Sequence, residues 1–290
     1  MDAILQIAHH PTVKFKTNVS KPNIIELDDG QSLQRIPIIY EDRSVMAVDK
    51  PASWMLVPFS WQNTNRNLMA ALTSSISAGD FWARSRGLKF LRNVHRLDAD
   101  TTGILLFVKS MGAVEPFTDL FESRQMEKIY LAVVNGKPKQ EEWVCELPLA
   151  PDPRQIGKMR VDHHEGKDAE THFRVLQTRE TPGGPLTLVE AMPVTGRTHQ
   201  IRLHLASAGT PITGDKLYGI NAAPLGPTYA DGRAKRRPGI TSAPEPLGLR
   251  SVYLSYRDPF QKRRVEIHAA KEGFLRQFGF ESGAPASRSV

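Results

Sequence analysis

The sequence predicts an α+β fold in which a mixed, mostly antiparallel sheet is flanked by a few helices. Short apolar runs rich in β-branched residues recur between turn signals, which is the pattern of strands. Few segments have helical apolar spacing, and they do not alternate with the strands as in a parallel βαβ array. With 290 residues, 40% of them hydrophobic, the chain can bury a large core without disulfides.

The first predicted elements are two strands and a helix. Residues 36–40 and 44–48 are short β-branched runs separated by a Glu-Asp turn, so we predict a strand at each. Residues 67–77 have the apolar spacing of a short helix. Asn67 is a suitable N-cap for it, because an Asn side chain can accept a hydrogen bond from a backbone N–H of the first turn.

A polar, turn-rich stretch at residues 92–103 precedes the apolar run at residues 104–108, which predicts a loop that leads into a buried strand. Residues 115–125 have the apolar spacing of a helix, with Phe117, Leu120 and Phe121 on one face, so we predict a helix there. Residues 128–136 follow as a strand that ends at a turn.

The second half of the chain is rich in strands, with one further helix. The predicted strands lie in residues 143–175, 186–196, 251–260 and 263–270, the last two as a hairpin. Residues 197–209 form the predicted helix, with Thr198 as its N-cap and Gly209 as its end.

This pattern divides the chain into one domain with two loose ends. Residues 1–35 are predicted to be an N-terminal extension, residues 36–275 the domain, and residues 276–290 a flexible C-terminal tail. Residues 222–246 are rich in Pro, Gly and basic residues, which predicts a flexible basic loop.

The charge balance is compatible with a polyanionic partner but does not by itself distinguish a protein that has one from a protein that has none. The chain has 38 Lys and Arg against 31 Asp and Glu, a net charge of +7. Such an excess attracts nucleic acid, since neutralised phosphates release their counterions. A basic soluble protein with no such partner would have the same composition.

The compartment is predicted to be the cytoplasm. A single cysteine, Cys145, excludes an internal disulfide framework and a Cys-rich zinc module. There is no apolar run of the roughly 18 residues that a membrane helix needs, and the N-terminal residues do not resemble a signal peptide.

The sequence also predicts no cofactor and no metal. It has no phosphate-binding glycine loop, no dinucleotide fingerprint and no nucleophile elbow. Its adjacent histidine pairs lack acidic or Cys neighbours at ligand spacing.

Two segments rich in polar residues are candidate catalytic or binding sites. In HRLDADTTG, Asp98 and Asp100 follow Arg96, and an aspartate held by hydrogen bonds and a cation stays ionised and can act as a nucleophile or base. In TGRTHQIRLH, Arg197 and Arg202 flank a predicted helix start, where anions are bound. Judged from residue types alone, an Asx turn and a solvated basic helix face are the better explanations of the two segments.

Together the two segments resemble motifs of the RluA family of RNA pseudouridine synthases. HRLDADTTGILLFVKS resembles the family's signature loop, and KIYLAVVNG resembles its tyrosine-bearing motif. EDRSVMAVDKPASWMLVP is similar to its opening Lys-Pro element, and TGRTHQIRLHLASAGTPITGDKLYG to its arginine-bearing motif. The four motifs occur in the family's order over residues 36–270, which makes a coincidence of patterns remote.

The resemblance implies a catalytic role for three residues. Asp98 matches the essential aspartate that acts at C1′ of a uridine, by direct attack or through a glycal route. Tyr130 matches the tyrosine that packs on the base and helps to remove the C5 proton, and Arg202 matches the basic partner of the catalytic carboxylate.

The resemblance also implies contacts with RNA. Arg96 matches the arginine that enters the space left by the flipped nucleotide, and His95, Arg197 and His199 complete the predicted RNA-binding set. His95 lies in the same loop as Arg96 and also fits a role in shaping that loop.

The family's fold is the pseudouridine synthase catalytic fold, with helices beside the sheet and a central RNA-binding cleft. The reaction that the resemblance implies needs no cofactor. The 35 residues before the first motif are too few for the S4-type domain that many relatives carry, so we expect a single catalytic domain that recognises structured RNA with its own surface. We expect a monomer, because no long exposed apolar segment is evident. We expect ribosomal rather than transfer RNA.

Two functions from other classes stay open at this point. A catalytically idle RNA-binding protein could share the fold, although it would not need Asp98, Tyr130 and Arg202 together. An unrelated Asp-dependent hydrolase would be active without RNA, and only the order of the motifs argues against it.

Overall fold

In the computed structural model, one large sheet carries the fold. The structure describes residues 21–30, 32–56, 66–220 and 245–281. The strands of the first half are β1 (Ile24–Asp28), β2 (Leu33–Glu41), β3 (Val45–Lys50), β4 (Arg92–Asn93), β5 (Thr102–Val108) and β6 (Glu127–Asn135). The later strands are β7 (Glu142–Cys145), β8 (Leu149–Pro151), β9 (Met159–Val161), β10 (Thr171–Arg179), β11 (Leu186–Pro193), β12 (Leu249–Arg257) and β13 (Arg264–His268).

Five α-helices lie within the described residues. They are α1 (Leu68–Ala78), α2 (Phe81–Arg84), α3 (Val114–Glu122), α4 (Gln200–Ser207) and α5 (Glu272–Gln277). None of these helices is long and apolar enough to cross a membrane.

The sheet is mixed and mostly antiparallel, as the sequence predicted. Its main path is β1-β2-β3-β5-β12-β6-β11-β10-β7, with β4 beside β5 and β13 beside β12. Among the described strand pairs, β5 and β12 alone run parallel, and the others are antiparallel. The parallel pair joins the half of the sheet formed early in the chain to the half formed later.

Side chains cover both faces of the central strands. On one face, Leu105 and Phe107 of β5 and Tyr130 of β6 pack with residues of α1, α2 and α4. On the other face, Ile104 and Leu106 of β5 pack against α3, and α5 covers the neighbouring part of β6. Strands that are buried on both faces are nearly continuous apolar runs, which is why these strands were readily predicted.

Most predicted elements are present within a few residues of their expected ends. Asn67 caps α1, with its Oδ1 accepting a hydrogen bond from the Ala70 N–H at 3.1 Å. Strands β12 and β13 form the expected antiparallel hairpin. Gly209 has a positive φ of 81° just after α4, as expected for a glycine that ends a helix.

The predicted Thr198 cap is wrong. Helix α4 begins one residue later, at Gln200, and its N-cap residue is His199, which has a left-handed backbone with φ 55° and makes no side-chain cap. The start of the helix is instead tied to the preceding turn by Gln200, whose Oε1 accepts hydrogen bonds from the Arg197 N–H and the Thr195 hydroxyl.

The described domain extends beyond both predicted boundaries. Strand β1 lies within the predicted N-terminal extension, and Ile25 is fully buried. At the other end Phe278 and Phe280 are buried, although they fall in the predicted tail. The rest of that tail, residues 282–290, and residues 222–244 of the predicted basic loop lie outside the described residues.

Gly103 allows the parallel strands β5 and β12 to approach each other closely. Its φ is +104°, and a Cβ added there would collide with the backbone carbonyl of Ser251. Gly103 and Ser251 are register partners, and Ser251 is in turn the partner of Tyr130 on β6. The glycine therefore fixes the spacing between the end of the Asp98 loop and Tyr130.

We predict that Gly103→Ala lowers the free energy of unfolding by about 3 kcal/mol or more, since both the positive φ and the collision with the backbone must be relieved. The matched control is Gly87→Ala, where φ is +63° but a Cβ meets nothing within 4 Å. That change should cost only the left-handed backbone, about 1–2 kcal/mol. Urea denaturation measures both, and equal losses would contradict the role of the close approach.

Candidate active site

Asp98 lies in the loop between β4 and β5, with one carboxylate oxygen held and the other free. Its Oδ2 accepts a hydrogen bond from Nη1 of Arg202 at 2.9 Å. No described residue donates a hydrogen bond to its Oδ1. The side chain is 17% exposed and lines a cavity of about 320 Å³. A held yet accessible carboxylate is what a nucleophile or base requires.

Arg202, on α4, bridges Asp98 to a second aspartate. Its Nε and Nη2 donate to the two carboxylate oxygens of Asp215 at 2.7 and 2.9 Å. The Asp215 side chain has no exposed surface and also accepts the backbone N–H groups of Leu217 and Tyr218. This bidentate pair fixes the plane of the guanidinium, so that Nη1 points at Asp98.

The pKa values of the pair favour the charged forms. Burial by itself lowers the pKa of Arg202, but its hydrogen bonds and charge interactions with Asp215 and Asp98 raise it above the usual value. Burial likewise raises the pKa of Asp215, yet the hydrogen bond and charge of Arg202 bring it below the usual range. Both groups are therefore ionised at neutral pH.

Tyr130, on β6, lines the same cavity as Asp98 and Arg202. The residue is 8% exposed. Burial raises the pKa of its phenol to about 12, and the charge of Asp98 adds to this while a hydrogen bond with Ser251 opposes it. At neutral pH, Tyr130 therefore presents an uncharged ring to the cavity.

His199 also lies close to Asp98. Its Nε2 is 3.8 Å from Oδ2 of Asp98, and its Nδ1 is 2.9 Å from the hydroxyl oxygen of Tyr218. Burial lowers the pKa of His199, and the nearby Asp98 carboxylate offsets part of this effect.

The other predicted RNA-binding residues have three different environments. Arg96 is exposed, lines the cavity and has no hydrogen-bond or ion-pair partner among the described residues. Arg197 is exposed and donates from Nε to the Asp168 carbonyl at 2.9 Å. Nε2 of His95 accepts the Leu106 N–H at 3.0 Å, and its ring stacks on Phe121.

The environment of His95 supports a role in shaping the loop rather than in binding phosphate. Burial lowers its pKa to about 3, so the ring is neutral and offers no positive charge to RNA. Its bond to Leu106 ties the start of the Asp98 loop to β5.

Lys50 holds the Asp98 loop by hydrogen bonds to backbone carbonyls, a role that the sequence did not reveal. The residue is fully buried at the end of β3, and its ammonium donates to the carbonyls of Pro51, Ala99 and Thr101 at 2.8, 2.7 and 3.0 Å. Burial lowers its pKa to about 7, against the opposing charges of Asp100 and Asp98. The apolar strand that ends in Lys-Pro was recognised as a motif, but nothing local showed where the amine lies.

Asp215 and Lys128 were also missed. Asp215 follows Gly214 in a turn-like segment, where an aspartate is ordinarily explained by turn formation. Lys128 lies two residues before Tyr130 and lines the cavity, with Nζ donating to the Thr195 carbonyl at 3.4 Å. Burial lowers its pKa to about 8. In the described residues, no cluster of three or more His, Cys, Asp or Glu side chains could hold a metal ion.

Comparison with known proteins identifies the family. The family model for RNA pseudouridylate synthase matches residues 44–207, more than half of the chain. The chain belongs to this family. It is an RNA pseudouridine synthase, an isomerase whose substrate is RNA, which confirms the family and the enzyme class predicted from the motifs.

Its relatives include synthases with different targets. A dual-specificity RNA pseudouridine synthase RluA of Vibrio cholerae is 34% identical over 68% of this chain and 72% of the relative. A ribosomal large subunit pseudouridine synthase C of the same organism is 31% identical over 92% of this chain and 75% of the relative.

Two solved human structures share the fold. Human RNA pseudouridylate synthase domain containing 1 matches with a TM-score of 0.58 and 24% identity, over 81% of this chain and 83% of that one. Human RNA pseudouridylate synthase domain containing 4 matches with a TM-score of 0.59 and 21% identity, over 83% of this chain and 91% of that one. These matches confirm the predicted fold class.

The buried amine of Lys50 predicts a dependence of stability on pH. Its pKa is about 7 in the folded protein and about 10.4 in an unfolded chain, so between these values the unfolded state binds more protons. The free energy of unfolding therefore rises with pH over this window, and Lys50→Met should reduce the slope.

Urea denaturation at several pH values from 7 to 10 measures both slopes. Lys139→Met is the control, since Lys139 is exposed, and it should keep the wild-type slope. An unchanged slope in Lys50→Met would mean that the three carbonyls hold the proton on the ammonium throughout.

Proposed function

We propose that the enzyme isomerises uridines in structured ribosomal RNA, with Asp98 as the nucleophile and with the target base flipped into the cavity. The observation that carries this proposal is the Asp98 carboxylate, which is held at Oδ2 by Arg202 and free at Oδ1 in a cavity that Tyr130 also lines.

The free oxygen of Asp98 suits the first step. Pseudouridine formation breaks the N1–C1′ bond, turns the uracil and joins C5 to C1′, so no atom is gained or lost. The Arg202 guanidinium holds and orients the carboxylate through Oδ2, while Oδ1 is left to act on the ribose. Direct attack at C1′ and a glycal route both use this oxygen.

The environment of Tyr130 favours its role as a platform for the base. The phenolate is the form that could take the C5 proton, and both burial and the Asp98 charge disfavour it. A neutral aromatic ring beside the carboxylate can instead hold the detached uracil flat while it turns.

The size of the cavity supports base flipping. A volume of about 320 Å³ is near the lower end of the range for small-ligand pockets, roughly 300–1,000 Å³, and suits a single nucleoside rather than a duplex. Extruding the base costs a few kcal/mol. The exposed Arg96 has no partner among the described residues, and its guanidinium can stack in the space that the base leaves.

The choice of ribosomal RNA is supported by the relatives and by charge. Synthases C and D of the large ribosomal subunit are among the relatives, while those called RluA are described as dual-specificity. The net charge of +7 and the exposed Arg96 and Arg197 beside the cavity suit a phosphate backbone. Transfer RNA as the substrate is the alternative that the experiment below distinguishes.

We further propose that the domain acts as a monomer in the cytoplasm and that residues 36–275 contain the catalytic machinery. Asp98 lies in the loop before β5, Tyr130 on β6 of the same sheet and Arg202 on α4, so a single chain supplies the three.

We predict that Asp98→Asn lowers the rate of pseudouridine formation by at least about 10³-fold, as expected when a nucleophile is removed. The control is Asp100→Asn, two residues away, whose carboxylate meets the exposed amine of Lys216 at 3.3 Å. This variant should keep most of the activity, because it leaves Asp98 and its guanidinium partner in place.

The assay uses ribosomal and transfer RNA fractions from cells that lack the gene, with pseudouridine measured in each. Conversion of ribosomal RNA by the wild type and not by Asp98→Asn supports the proposal. Conversion of transfer RNA but not of ribosomal RNA would contradict the proposed target. Activity that survives Asp98→Asn would refute the catalytic assignment, and binding of RNA without conversion by the wild type would indicate an idle RNA-binding protein.

A further inference from the structure

His199 lies between Asp98 and Tyr218, with one ring nitrogen facing each. Nδ1 is 2.9 Å from the Tyr218 hydroxyl, and Nε2 is 3.8 Å from Oδ2 of Asp98. The His199 and Tyr218 rings meet edge to face, with centroids 5.6 Å apart. The His199 side chain is only 9% exposed, so this arrangement belongs to the interior of the site.

The hydrogen bonds of Tyr218 determine which nitrogen of His199 carries the proton. The Tyr218 oxygen accepts the Met159 N–H at 2.7 Å, and the residue is 3% exposed. Its own hydroxyl proton needs an acceptor, because buried hydroxyl groups are almost always paired. Among the described residues, Nδ1 of His199 is the acceptor within reach, so Nδ1 accepts and the proton of the neutral ring is on Nε2.

The groups around His199 keep the ring neutral. Burial is the largest effect and lowers its pKa, and the positive charges of Arg202 and Arg96 act in the same direction. The carboxylates of Asp98 and Asp215 oppose them without reversing the shift. A neutral Nε2–H group therefore points toward Asp98 at neutral pH.

The backbone of His199 fixes the ring in this place. Its φ of 55° and ψ of 20° lie in the left-handed region, which a residue with a side chain adopts at a cost. Such conformations persist where the surroundings hold them and are concentrated at functional sites. Here the left-handed residue directly precedes α4 and sets the distance from its ring to the Asp98 loop.

We propose that His199 is a positioning residue for Asp98, with its Nε2–H oriented by the Tyr218 hydroxyl. Together with Arg202 it holds Oδ2, and it leaves Oδ1 as the oxygen that reacts with the ribose. The inference rests on the proposed role of Asp98. The proposal requires the 3.8 Å separation to shorten to a hydrogen bond in the substrate complex, as contacts of catalytic groups commonly do.

The decisive variants are His199→Gln and His199→Asn. The amide nitrogen of Gln reaches the position of Nε2 in the ring, whereas the shorter Asn reaches only that of Nδ1. Asn is the better of the two in a left-handed backbone, so differences in folding favour Asn. A role in positioning predicts the opposite order in catalysis.

We expect kcat to fall by about 10-fold to 100-fold in His199→Asn, the loss associated with one hydrogen bond to a charged group, and by much less in His199→Gln. KM for RNA should change little in either variant. Equal losses of kcat, or changes confined to KM, would contradict the proposal, the second result indicating that His199 contacts RNA directly.

A measurement that does not depend on activity tests the proton position. Nitrogen-15 NMR of the wild type labelled at histidine should show His199 with Nδ1 unprotonated and Nε2 protonated, and Tyr218→Phe should shift the Nδ1 resonance, because Nδ1 loses its hydrogen-bond donor. A protonated Nδ1 in the wild type would overturn the inference.

The same data separate the two levels of the argument. An inactive wild type with the expected protonation would mean that the proposed function fails, not the hydrogen-bond arrangement. An active wild type with an equally active His199→Asn variant would mean that only the inference fails.

Discussion

The site depends on one guanidinium that binds two carboxylates. Arg202 is held in a fixed plane by the fully buried Asp215, and its remaining Nη1 is directed at Oδ2 of Asp98. A buried carboxylate such as Asp215 requires a paired cation, and the cation that fills this role also binds the more exposed Asp98. The reactive carboxylate is thereby oriented through one oxygen, and its other oxygen stays available. Lysine could supply the charge, but not the planar fork that meets two partners at fixed angles.

The sheet brings the parts of this arrangement together. The Asp98 loop leads into β5, Tyr130 lies on β6, and β12 lies between them and pairs with both. Gly103, Ser251 and Tyr130 form one row across these strands, so the close parallel pairing sets the distance between the carboxylate loop and the aromatic ring. Lys50 holds the carbonyls of Ala99 and Thr101, which lie in that loop just after Asp98. The chemistry is therefore placed by backbone contacts as much as by side chains.

Local sequence predicted the fold and the residues within motifs, and missed the contacts made between distant segments. The strands were readable because burial on both faces gives continuous β-branched runs, and the Asn67 cap because a cap is a local interaction. Asp215 and Lys50 could not be assigned, since their partners lie 13 and about 50 positions away along the chain. Thr198 was misread as a cap because nothing local shows that Gln200 and the left-handed His199 start α4. The domain ends were misplaced for a similar reason: β1 and the buried Phe280 are apolar only in short stretches.

The most direct test of this account is kcat of Asp215→Asn, because Asp215 binds the guanidinium of Arg202 and makes no hydrogen bond or ion pair with Asp98 among the described residues. The amide keeps the size of the side chain but removes the charge and one of the two acceptors, so the guanidinium can turn away from Asp98. A misplacement of about 1 Å can cost about 10²-fold in rate. We predict a fall of at least 10-fold in kcat, with RNA affinity unchanged and with the exposed-pair variant Glu266→Gln at the wild-type rate. An unchanged kcat in a folded Asp215→Asn protein would contradict the claim that the buried aspartate orients the catalytic carboxylate.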